Sequence, residues 1–72
     1  MYNPVKHENI ELRDKMMKFF IVNENKYFDI TYLAKYFNVS IDKMRFNLNQ
    51  LIKINFLEKD NFIGTKVYTY RG

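Results

Sequence analysis

The chain of 72 residues has no cysteine and no tryptophan, a single proline, two glycines and a single histidine. Without cysteine there is no disulfide, thiolate zinc site or cysteine nucleophile, and a reducing compartment suits the composition. His7 cannot form a histidine-based metal cluster by itself. Scarce glycine excludes a glycine-rich phosphate cradle. The longest apolar run, Phe19 to Val22, is far below the roughly 18 residues of a membrane span, and MYNPVKHEN offers no apolar core of a secretion signal. A cytoplasmic protein is expected.

What is present is apolar mass, 47% of residues with 18% aromatic, so a packed core is expected, not disorder. A core this small supplies only about 3–5 kcal/mol. Abundant Asn, Lys, Ile, Phe and Tyr, whose codons are A/T-rich, fit a low-GC bacterium or its phages. The net charge is +4, and all of the excess falls in residues 26–72, residues 1–25 being balanced. A basic region beside a neutral one suits a polyanionic partner, although scattered lysines also serve solubility.

Residues 1–6 read as a flexible tail and 7–72 as one domain. Between His7 and Asn23, Leu12, Met16 and Phe20 recur four apart, with Ile10, Met17 and Ile21 widening the stripe of a first helix. Glu8 and Glu11 suit its N-terminal dipole. Phe19 and Val22 fall partly outside the stripe and offer a candidate homodimer surface. Residues 26–30 read as a brief strand. Thr31 is placed to cap a second helix, Tyr32 to Phe37. Asn38 takes the left-handed turn, Val39 fills it, and Ser40 caps a third helix over 41–54 that buries Ile41, Met44, Leu48, Leu51 and Ile52. Asn55 ends that helix in the same way as Asn38. Two strands, 56–59 and 66–70, follow, separated by a loop over 60–65 in which Gly64 supplies positive φ.

The stretch ITYLAKYFNVSIDKMRFNLNQLIKINFLEK resembles the winged helix-turn-helix of small bacterial and phage transcriptional regulators. The points of likeness are Leu-Ala in the second helix, a turn ending Val-Ser, a Leu-x-x-Leu third helix and a following strand. Ala34 would allow close helix approach, and Leu48 and Leu51 would press the third helix onto the first. Asn38 and Asn55 stand where such regulators often carry glycine. The resemblance implies an α+β winged helix: a three-helix core, a short strand and a two-stranded wing. It also implies double-stranded DNA as partner, with no cofactor. Winged helices serve equally as protein adaptors, and the fold does not choose between these uses.

Turning 100° per residue, the third helix presents Asp42, Phe46, Asn49, Gln50 and Lys53 outward, with Lys43 and Asn47 to one side and Arg45 to the other. Amides pair with adenine, Lys with guanine, and a phenyl ring lies against thymine methyls, so Lys43, Phe46, Asn47, Asn49 and Gln50 are the candidate base readers. Lys35, Tyr36, Ser40, Arg45, Lys53, Lys66 and Arg71 are the candidate phosphate contacts. The plain alternative is that any amphipathic helix shows such a face. Readers of left-handed duplexes carry Lys, Asn and Tyr where this helix has Ile41, Arg45 and Asn49, a poor match. Tyr68 and Tyr70, two apart, suit lids on the core; a single-stranded DNA accessory protein would use the same pair for stacking. Ser40 is read as a cap, not a nucleophile, and no carboxylate pair is evident, so no enzyme activity and no small-molecule ligand are expected.

Overall fold

The computed structural model describes residues 10–72. The tail expected over 1–6 and the helical start at 7–9 lie outside them. The order is α1 (Ile10–Val22), β1 (Phe28–Asp29), α2 (Ile30–Phe37), α3 (Ile41–Lys53), β2 (Glu58–Phe62) and β3 (Thr65–Thr69). The strands form one antiparallel sheet in the order β1-β3-β2. This is the α+β arrangement of three helices and a three-stranded sheet expected of a winged helix. None of the described helices is long and apolar enough to cross a membrane.

The core joins Leu12, Met16 and Phe20 of α1, Leu33 and Ala34 of α2, Met44, Leu48 and Leu51 of α3, and Leu57 and Tyr68. The stripe of α1 is narrower than expected, because Ile10 (76% exposed) and Ile21 face solvent. Phe19 packs instead into an aromatic group, its ring centroid 4.7 Å from Tyr36, 4.9 Å from Phe28 and 5.5 Å from Phe37. Of the two residues expected to form a dimer surface, Phe19 therefore packs against β1 and α2, and Val22 is 82% exposed.

Helix ends follow the polar residues, with one correction. The cap of α2 is Asp29, not Thr31: Asp29 Oδ1 accepts from the Tyr32 amide at 2.7 Å, so the helix starts two residues earlier, at Ile30, and the strand expected over 26–30 is only Phe28–Asp29. Asn38 (φ 56°) and Asn55 (φ 64°) are left-handed as expected. Ser40 Oγ accepts from the Lys43 amide at 3.1 Å. Ile41, expected in the core, lies on the helix rim and is exposed.

The hairpin of β2 and β3, the expected wing, differs most from expectation. Where a six-residue loop was predicted, β2 runs on to Phe62 and pairs with Thr65, leaving a two-residue turn of Ile63 and Gly64. Both residues have positive φ, 49° and 77°, the pattern of a type I′ turn that matches strand twist. Asn-Gly is the usual pair there; a β-branched residue in the left-handed region costs about 1–2 kcal/mol.

Candidate nucleic-acid interface

Helix α3 is held from three sides. Its inner stripe, Met44, Leu48 and Leu51, is fully buried. Its start is fixed by the turn, where the Val39 amide donates to the Ala34 carbonyl at 3.0 Å, and by the Ser40 cap. Its end is closed by amides of Phe56 and Leu57 donating to the Leu51 carbonyl at 2.9 and 3.2 Å.

The opposite stripe exposes Asp42, Arg45, Asn49 and Lys53, with Lys43 and Gln50 partly buried at its edges. Phe46 falls on the outer side by register and is nonetheless partly buried. Asn47 departs from its expected role as a base reader, because it is fully buried. Its Oδ1 accepts from Arg13 Nε at 3.2 Å, and its Nδ2 donates to the Lys43 carbonyl at 2.8 Å. An amide so engaged fixes the helix and reads no base edge. The signal was present: position 47 lies between Met44 and Leu51 on the inner stripe.

The two arginines expected at phosphates are both paired. Arg45 Nη1 lies 2.9 Å from Asp42 Oδ1, both side chains being exposed. Arg71 Nε donates to Glu58 Oε1 at 2.7 Å and its Nη2 to the Tyr27 hydroxyl at 2.7 Å. These bonds, the one to Glu58 foremost, raise the guanidinium pKa above its ordinary value. Among the described residues no ion pair engages Lys35, Lys43, Lys53, Lys59 or Lys66.

Strand register divides the wing into two faces. Tyr68 belongs to the core, so its face looks toward the helices; Lys59 opposite it, and the pair Asn61 and Lys66, share that face. Burial pushes the Tyr68 phenol pKa up, while the Arg45 charge opposes the shift, an effect that ties the base of the wing to α3. The other face carries Glu58, Asp60, Phe62 and Val67, and Arg71 joins it through Glu58. The wing thus separates Lys66 from Arg71. Lys59 and Asn61 join Lys66 only once strand pairing is known.

On α2, Lys35 is exposed and Tyr36 stacks with Tyr32, centroids 6.1 Å apart at 22°, while its ring remains largely accessible. Ser40 keeps a hydroxyl proton to donate after accepting the cap bond. Tyr70 stacks on Phe56 at 4.7 Å and Tyr68 is buried, so this pair covers the core as lids and offers no open stacking platform.

No protein-family model and no curated protein sequence matches the chain. A solved structure that it resembles is a possible transcriptional regulator from Methanosarcina mazei Go1, with a TM-score of 0.75 at 15% identity. The match covers 92% of this chain and 59% of that one, so the chain spans under two thirds of the neighbour's length. At that identity the likeness establishes the shared fold.

Proposed function

We propose that the chain is a winged-helix transcriptional regulator that binds double-stranded DNA in the cytoplasm of a bacterial or phage-infected cell. Helix α3 lies in the major groove, where Asn49 and Gln50 meet base edges and Lys43 and Lys53 flank them. Lys35, Tyr36 and Ser40 reach the phosphates on one side, and Lys66 on the other. The observation that carries this reading is a capped helix exposing Arg45, Asn49 and Lys53, followed by a hairpin on which Lys59, Asn61 and Lys66 share one face. The regulator-like neighbour supports it at the level of fold. One module has limited affinity, and a homodimer on two half-sites a helical turn apart would strengthen binding. The reading assigns the chain no catalysis and no cofactor.

The deciding measurement is fluorescence anisotropy of a labelled duplex across a salt series. Neutralising four or five phosphates makes log K fall with log salt at a slope of about −4. An affinity that does not respond to salt, or no binding at low salt, would sink the proposal.

A second reading, a protein adaptor, draws on the groove between α1 and α2, about 690 Å³, lined by Leu12, Phe19, Val22, Tyr36 and Val39 with Lys15 and Lys18 at its edge. Light scattering with and without duplex separates the two readings, because an adaptor keeps its mass when DNA is added.

A further inference from the structure

The tip of the wing is built against the interests of folding. Ile63 is 88% exposed, more than any other large apolar side chain among the described residues, and its neighbour Phe62 is 66% exposed. Ile63 also holds φ 49° in a turn where Asn would sit without strain. Neither burial nor turn geometry accounts for an isoleucine there, so its use lies outside the folded chain. On the same hairpin Asn61, Thr65 and Lys66 supply hydrogen-bond donors and a cation within three residues of the tip.

We propose that Phe62 and Ile63 form an apolar wedge that enters the minor groove of duplex DNA and opens a base step, bending the helix. The inference rests on the DNA-binding reading above and adds what the wing does there. Apolar side chains inserted between base steps unstack them and kink the duplex. The dimensions agree: a five-residue strand spans roughly 17 Å, about half the 34 Å helical turn that separates equivalent grooves. With α3 in the major groove, a hairpin of that length is long enough for the tip to reach the adjoining minor groove. Lys66 and Asn61 then face the phosphates that flank the opened step. A protein partner suits the tip less well, because two side chains cover far less than the about 800 Å² per partner of a stable interface.

The test uses the full chain and an A/T-rich duplex of about 25 base pairs with a dye at each end, which reports binding by anisotropy and bending by energy transfer. The wild type should bind and raise the transfer. Ile63→Asn, whose side chain tolerates the left-handed turn, and Phe62→Thr, which suits a strand, should still bind with the same salt slope but lose the gain in transfer. Ile63→Asn should also melt no lower than the wild type. Binding by the wild type without any change in transfer overturns the wedge and leaves the DNA-binding reading intact. No binding in the anisotropy channel overturns both. A fall in melting temperature for Ile63→Asn overturns the wedge by making the residue structural. So does a bend that survives both variants while Ile63→Asn dissolves a self-associated species, which would make the tip a protein contact.

Discussion

Arg13 of α1 donates its Nε proton to Asn47 Oδ1 of α3 across 3.2 Å, joining two residues 34 apart in sequence at the back of the helix proposed to read DNA. Asn47 returns its Nδ2 to the Lys43 carbonyl one turn earlier, so a single buried amide ties α3 to α1 and to itself.

Asn47→Ala should therefore act on stability, not on base choice. It removes a buried amide and leaves a void, which together cost about 1–3 kcal/mol. A double-mutant cycle with Arg13→Ala should show a coupling of about 0.5 kcal/mol or more in urea unfolding. A variant with unchanged stability that has lost only its sequence preference would return Asn47 to the reading face.

How far this arrangement was legible varies with the physics. Leucine spacing and the polar caps identify α3 and its turn because they are local: Asn38, Ser40 and Asn55 act on backbone within a few residues. Asp29 was missed because Thr31 is an equally good cap chemically, and only packing of Phe28 and Ile30 on the core decides between them. Register along α3 places Asp42, Asn49 and Lys53 outward. The pair of Arg45 with Asp42, three apart on one helix, is legible from helical spacing, whereas the partners of Arg71 and the division of the wing into two faces depend on strand pairing that sequence does not contain. The two-residue turn was hidden because Ile-Gly is an unfavourable turn pair, and a rule about preferred residues fails where a disfavoured residue holds the left-handed conformation.

Thr69, at the end of β3, is fully buried, and its Oγ1 has no hydrogen-bond partner among the described residues. A buried hydroxyl without a partner costs about 1–3 kcal/mol relative to a bonded one. Replacing it with the similarly shaped valine, Thr69→Val, should raise the urea midpoint by the equivalent of about 1 kcal/mol without changing the unfolding slope. A lowered midpoint would mean that water or a mobile group satisfies the hydroxyl.

Asp42 and Arg71 separate the two sides of the molecule electrostatically. Asp42 stands on the outward stripe of α3 and holds Arg45 by an exposed pair, which contributes at most about 1 kcal/mol to folding. If that stripe meets DNA, the carboxylate repels phosphate and occupies a cation that could contact it. Asp42→Asn should then tighten binding to duplexes of any sequence, and one additional phosphate contact by Arg45 should steepen the salt slope by about 0.9. Arg71 carries the same charge but is turned to Glu58 and Tyr27 on the other wing face, so Arg71→Ala should leave affinity nearly unchanged while Lys66→Ala weakens it. All three are read from one anisotropy titration series at fixed salt, with urea unfolding as the control for folding. Weaker binding by Asp42→Asn, or a loss for Arg71→Ala as large as for Lys66→Ala, would show that the DNA lies against the other face of the wing.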